Sequence, residues 1–338
     1  MGDTLGGIIA GIPIPVVLIG AEDRVEEANP AAQALFGAAI LGRHHGLSFR
    51  HPELVMAIAA ARAGQVGRAR MITQGETQDR VHEVTVTPVG DRVVLAFEDQ
   101  SALAQMDQMR RDFVANVSHE LRTPLTAMIG FIETLQGPAK EDAPARMRFL
   151  AIMAREAERM NRLVRDLLHL SRVEAEERVR PSDEVDLAAL TRSTAAVLKP
   201  VAEEGGVTIR LEGADQPVPL RADSDQMTQV LSNLIENAVK YGSPPGATVT
   251  VRITRETGPR GPLLRLSVAD QGEGIDPKHL PRLTERFYRV DSHRSREKGG
   301  TGLGLAIVKH IISRHRGRLI IESEKGRGSR FSVLLPLE

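Results

Sequence analysis

The sequence contains no cysteine. That excludes a disulfide scaffold, a thiolate metal site, a cysteine nucleophile and thiol redox chemistry. It contains no tryptophan, and aromatic residues make up only 3%, so the cores must be built mainly from Leu, Ile, Val, Ala and Met. Excess charge is also missing. The 44 basic and 44 acidic side chains cancel, which excludes a nucleic-acid binder held by bulk electrostatics and an acidic tail protein. There is no long hydrophobic run. The best, Ile8 to Ile19, is broken by Gly11, Pro13 and Pro15, whereas a membrane span needs about 20 apolar residues. It has neither a basic leader nor a small-residue cleavage site. The expectation is a cytoplasmic chain with no membrane segment of its own, with attachment to a membrane through a partner or an N-terminal anchor as the alternative.

At roughly 100–200 residues per domain, 338 residues make two or three domains. Residues 1–98 mix short strands and helices. Asn29-Pro30 reads as a helix cap followed by proline at the first helical position. Pro52 to Ala63 reads as helix, and Val81–Thr87 with Arg92–Glu98 as a hairpin that ends an α+β domain. His44, His45 and His51 read as a solvent-exposed loop cluster beside Pro52, not as ligands. Residues 99–180 turn helical. Phe113, Val117, Leu121, Leu125, Met128, Ile132 and Leu135 form one stripe, and Leu150, Met153, Ala157, Met160, Val164 and Leu167 a second. Arg155, Glu156, Glu158 and Arg159 read as the solvated face of the second helix. Two such helices joined by the loop 137–144 make an antiparallel hairpin, and pairing two hairpins into a four-helix bundle would cover both stripes, so a homodimer is expected. After Pro181-Ser182, residues 183–338 alternate helix and strand again, with a long glycine-rich, charged loop between Gln271 and Gly300. Loops of that length inside a domain are usually functional.

Two constellations carry chemistry. In the first, taking Val117 and Leu121 as the packed seam puts His119 on the opposite, solvent side of its helix, with Thr123 one turn on and Glu120 adjacent. Pro124 either kinks this helix or starts another. An exposed imidazole beside a carboxylate suits nucleophilic chemistry. The zinc signature His-Glu-x-x-His fails, because position 123 is threonine. The second constellation gathers four segments. Asn233, Asn237 and Tyr241 line one stripe of a helix with Lys240 beside it; amide oxygens ligate Mg²⁺ and lysine neutralises phosphate. Asp270-Gln-Gly-Glu-Gly-Ile275 follows a strand, where a carboxylate can accept from an exocyclic amine, while Gly272 and Gly274 admit close backbone approach. Arg286-Phe-Tyr-Arg289 offers guanidiniums and aromatics. Gly300, Gly302 and Gly304 open an apolar helix, and backbone N–H groups there make an anion site. Their spacing is not the Rossmann fingerprint, and the chain contains no Walker-A sequence.

Taken together, these segments resemble the sensor histidine kinases. Ser118–Leu125 resembles the family's H box, Asn233–Tyr241 its N box, Asp270–Ile275 its first glycine box, Glu285–Arg289 its F box and Gly300–Leu305 its second glycine box, in the family's order. The surroundings of His119 and Arg286–Asp291 resemble the phosphate-regulon type, and residues 1–98 resemble a PAS domain, chiefly through Val25–Gly37. The resemblance implies an α+β multidomain fold: a PAS-like domain, a helical hairpin forming a dimeric four-helix bundle, and a C-terminal α/β sandwich of the histidine-kinase ATPase type under a mobile lid. It implies ATP and Mg²⁺ as cofactors. Asp270 would contact adenine, Asn237 hold Mg²⁺, and Asn233, Lys240 and Arg289 lie near the phosphates, with Gly302 and Gly304 cradling them. His119 would attack the γ-phosphorus with Glu120 as proton acceptor, and the phosphoryl group would pass to an aspartate of a response regulator. Thr123 would orient water for dephosphorylating that partner. Two other readings stay open: an ATPase of the same nucleotide fold without phosphohistidine, and a non-catalytic scaffold.

Overall fold

Runs of alternating β-branched residues pair here into two separate five-stranded sheets. The computed structural model describes residues 7–74, 79–176, 179–259, 261–291 and 300–337. The chain divides into two compact units, Met1–Ala115 and Asn116–Glu338.

In the first unit the strands are β1 (Val16–Ile19), β2 (Val25–Ala28), β3 (Gly67–Thr73), β4 (Arg80–Val89) and β5 (Arg92–Asp99). They form an antiparallel sheet of order β2-β1-β5-β4-β3. Helices α1 (Pro30–Phe36), α2 (His45–Ser48) and α3 (Pro52–Arg62) lie between β2 and β3 in the chain. They bury Ala32, Leu54, Ala57, Ile58 and Ala61 with Val17, Ile19, Val84, Val86, Val93, Leu95 and Phe97. The other sheet face is covered by residues near the start of the chain: Ile9 and Ile12 pack on Val16, Leu18, Val94 and Ala96. Asn29 fastens this arrangement. Its Oδ1 accepts from the backbone of Val16 and Ala32, and its Nδ2 donates to the carbonyls of Ile9, Ile12 and Ile14. The cap expected at Asn29 is therefore present and does more than cap. Strand β3 was not expected. His45, expected in solvent, is buried at 8% exposure, while His44 is exposed.

In the second unit, α4 (Ser101–Gln136, which begins in the first unit) and α5 (Ala143–Glu176) form the two hairpin helices. Helix α4 runs unbroken through Pro124, so Pro124 does not start a new helix. Phe131 stacks on Phe149 across the pair at 5.1 Å. Then follow β6 (Glu184–Asp186), α6 (Leu187–Glu204), β7 (Thr208–Glu212), β8 (Pro219–Arg221), α7 (Ser224–Lys240), β9 (Thr248–Gly258), β10 (Gly261–Ala269), α8 (Gly304–Arg314), β11 (Arg318–Glu324) and β12 (Gly328–Pro336). The main sheet has the order β11-β12-β10-β9-β7, antiparallel except for β7 beside β9. Helices α6, α7 and α8 supply its apolar layer through residues such as Leu198, Leu231, Leu234, Ile235, Ile307 and Ile311. The short strand β6, which pairs with β8, was not expected. Helix α8 begins at Gly304, the last of the three glycines expected to open it, which leaves residues 300–303 as loop. Arg159, expected on a solvated face, is buried at 9% exposure. Among the described residues no helix is long and apolar enough to cross a membrane.

Candidate active site

The helix α7 is amphipathic by sequence. Met227, Val230, Leu231, Leu234, Ile235 and Ala238 are buried, and Asp223 caps its start by accepting from Asp225 and Gln226. That packing leaves Asn233, Asn237, Lys240 and Tyr241 half-buried along one edge. Asn233 Nδ2 donates to the carbonyl of Gly304 at 3.3 Å, which joins the helix to the glycine loop. Lys240 Nζ lies 2.5 Å from Glu236 Oε2. The amide of Asn237 makes no hydrogen bond among the described residues.

Asp270 sits just past the end of β10 and is 8% exposed. Its Oδ1 accepts from the backbone N–H groups of Gly272 and Ser329, both at 3.0 Å. Both bonds fall on one oxygen, which leaves Oδ2 for a ligand. Burial pushes the carboxyl above its usual range, while the two N–H donors work against that rise. The backbone is crowded around it. A Cβ on Gly272 would lie 2.2 Å from the carbonyl oxygen of Gly242, and one on Gly242 would lie 2.4 Å from Asp270 Oδ2. Gly274 (φ 66°) and Gly302 (φ 74°) have left-handed backbones, and a Cβ there would meet Glu324 and Phe287 respectively. A buried carboxylate with one open oxygen, glycines that exclude side chains, and an unpartnered amide fit a nucleotide and its divalent cation. Gly242 and Ser329 were missed by sequence reasoning, and only their place in space marks them.

His119 is exposed on α4, as expected. Thr123 Oγ1 donates to the carbonyl of His119 at 3.1 Å, one turn back. Glu120 is held tightly. Its Oε2 lies 2.6 Å from Arg159 Nη2 and 3.0 Å from Arg289 Nη2, and Arg289 Nη1 reaches Oε1 at 3.3 Å. Arg289 also donates to the carbonyl of Thr301 at 2.9 Å. Thr301 Oγ1 in turn donates to Asp166 Oδ2 at 2.7 Å, and burial pushes the Asp166 carboxyl above its usual range. Further along, Glu174 meets Arg286 at 2.5 Å and His310 at 3.6 Å. Residues from the histidine motif, the arginine loop and the glycine loop thus meet within one unit. Gly299, and the stretch 292–299 of the long loop, lie outside the described residues. In the first unit the ligand atoms of Asp23, His44 and His45 lie within 4.8 Å of one another. This group does not suit a cation, because Arg62 pairs with Asp23 at 3.0 Å and His44 Nδ1 accepts from Gly46.

Comparison with known families matches both parts. The His Kinase A (phospho-acceptor) domain matches residues 109–176, and the ATPase family of histidine kinases, DNA gyrase B and HSP90 matches residues 222–338. The chain belongs to the histidine kinases. The two matches together cover more than half of it, and the second domain is an ATP-binding one. The phosphate regulon sensor protein PhoR of Pseudomonas aeruginosa is 44% identical over 248 residues, covering 73% of this chain and 55% of that protein. The sensor histidine kinase WalK of Bacillus subtilis is 39% identical over 246 residues, covering 73% of this chain and 40% of that protein. The chain thus spans about half the length of these relatives. The solved structure of the histidine kinase ThkA in complex with the response regulator protein TrrA shares the fold, with a TM-score of 0.54, 19% identity and 98% coverage of each chain.

Proposed function

We propose that this histidine kinase phosphorylates itself on His119 with ATP and passes the phosphoryl group to an aspartate of a response-regulator receiver domain. The observation that carries the reading is the meeting of Glu120, next to the exposed His119, with Arg289 and the glycine loop. In the first step an imidazole nitrogen of His119 forms a bond to the γ-phosphorus. The bond from that phosphorus to the ADP oxygen breaks, and Glu120 takes the imidazole proton. The remaining residues position and neutralise, as in other phosphoryl transfers. Asp270 accepts the exocyclic amine of adenine through Oδ2. Asn233, Lys240, Tyr241 and Arg289 face the phosphates, and the backbones of Gly272, Gly274, Gly300, Gly302 and Gly304 give room and N–H donors. Asn237 would hold Mg²⁺, which when bound neutralises phosphate charge. Thr123 orients water for removing phosphate from the partner.

The same reading divides the chain at 1–98, 99–180 and 183–338. It takes residues 1–98 as PAS-like, supported by the β2-β1-β5-β4-β3 order and the helices inserted between β2 and β3. A homodimer through the hairpin is supported by the exposed Leu125, Ile129, Ile132, Leu150, Val164 and Leu168. The likeness to PhoR favours a phosphate-regulon partner. The test is incubation with ATP labelled at the γ-phosphate. Acid-labile, alkali-stable label that disappears in His119→Gln and moves to a receiver domain is expected. Label-free ATP hydrolysis, unchanged in His119→Gln, would leave a plain ATPase.

A further inference from the structure

The proposed proton acceptor needs a definite orientation, and two arginines supply it from different places. Arg289 comes from the loop of the ATP-binding part. Arg159 comes from α5, the partner helix of the same hairpin. Arg159 is the nearer of the two, at 2.6 Å from Glu120 Oε2. It is also committed. Its side chain is 11% exposed, and Pro124, Met160 and Leu163 line the crevice in which it meets Glu120. Its other carboxylate neighbour, Glu156, stands 3.5 Å away. A buried guanidinium that lost its partner would be left as an uncompensated charge, so Arg159 and Glu120 are strongly held together.

The two arginines therefore have different freedoms. If the phosphates draw Arg289 away, Glu120 loses one tether. The tether within the hairpin remains, because it does not depend on where the nucleotide part lies. We infer that Arg159 is the positioning residue for Glu120: it keeps the carboxylate turned and anchored beside His119 while Arg289 is engaged elsewhere. Arg159 touches neither the reacting nitrogen nor the nucleotide in this assignment, which rests on the proposed role of His119 and Glu120. A positively charged residue that reads as solvated surface is thus a part of the site.

The test uses the full chain and its variants Arg159→Gln, Arg159→Lys, Glu120→Gln and the double variant Glu120→Gln/Arg159→Gln. Autophosphorylation is followed at saturating ATP across pH, with ATP affinity and thermal unfolding measured in parallel. A misplacement of about 1 Å can cost on the order of 100-fold in rate. Arg159→Gln should therefore slow the maximal rate by about tenfold to 100-fold, alter the pH–rate profile and leave the ATP KM within about twofold. Arg159→Lys should recover part of the rate, since it keeps the charge but not the planar fork. In the Glu120→Gln background, Arg159→Gln should cost nothing more. Equal losses in both backgrounds, a change confined to KM, or an unchanged rate would overturn the assignment. Should Arg159→Gln not fold, Arg159→Lys decides the same points. Absence of His119-dependent label in the unsubstituted chain would instead overturn the kinase reading itself, and this assignment with it.

Discussion

The two five-stranded sheets of this molecule are covered by the same kind of apolar layer and used differently. The first has both faces closed, one by α1–α3 and one by Ile9 and Ile12. Its core holds Phe49 and Phe97, with Phe36 edge-on to both at 5.2 and 5.0 Å. The polar side chain at its centre, Asn29, is fully used in fastening backbone. The second sheet is closed by α6, α7 and α8, but beside its strand ends it keeps groups that packing does not need: Asp270 with both bonds on one oxygen, the amide of Asn237, unpartnered among the described residues, and glycines pressed against carbonyls. Residues that only fill space report the fold. Residues that packing would reject report a ligand.

Four measurements can break or sharpen this contrast. The largest effect is expected from Phe97→Ala, which should cost the first unit about 3–5 kcal/mol. It should leave ATP affinity unchanged, read by calorimetric unfolding with and without nucleotide; a loss of affinity would mean that the two sheets are not energetically separate. Next, Asp270→Asn should weaken ATP binding by about 100-fold, in line with a lost charge-assisted hydrogen bond. It should also change the preference between adenine and guanine nucleotides in a competition assay, and unaltered preference would remove Asp270 from base recognition. Third, Asn237→Ala should shift the melting temperature little, because among the described residues the amide has no partner to lose. It should lower the gain in ATP affinity caused by Mg²⁺ by about tenfold, and a fall in metal-free affinity of the same size would assign the amide to phosphate instead.

The smallest effect is that of pH. Burial holds His45 and His82 in the first unit below the usual histidine value. The unfolded chain therefore takes up protons first as pH falls through about 6.5, and the first unit should lose stability from there down to the depressed folded values. In the second unit, His315 is lowered in the same way, but burial raises Asp166 and Asp270. Those two acids destabilise the fold when ionised, and this cost is relieved as pH falls through their raised values. Between pH 7.5 and 5.5 the transition that nucleotide does not shift should fall more than the one it does. His82→Gln should flatten the steeper slope. Parallel slopes would show that these buried groups do not distinguish the units.

Much of this was legible in the sequence. The hairpin of Val81–Thr87 with Arg92–Glu98 and the helix opened by Asn29-Pro30 follow from alternation and from a capping residue, both of which act within a few residues. What escaped depends on distant neighbours. Strand β3 starts at Gly67, whose absent side chain lets Ala57 approach: a Cβ there would lie 2.5 Å from the carbonyl oxygen of Ala57. A glycine followed by Arg68-Ala69-Arg70 carries little strand signal until that helix is in place. Strand β6 has three residues, too few to show a period. Arg159 and His45 escaped for one reason. Helical and loop patterns say which way a side chain points along its own segment, but not which segment will lie over it. The histidine and glycine motifs, by contrast, were legible because each lies within one short segment and the segments follow a fixed order.

Asn29 carries a consequence for which residues the position can tolerate. Capping a helix is a task that aspartate, serine and threonine perform about as well as asparagine. Donating to the carbonyls of Ile9, Ile12 and Ile14 while accepting from Val16 and Ala32 is not. Aspartate has no proton to give at neutral pH, and a hydroxyl has only one. Glutamine carries the right groups on a stem one carbon too long. Of the common alphabet, one letter fits this place, and the substitution that a helix scale would rate as neutral, Asn29→Asp, is the one that would set a charge against three oxygens.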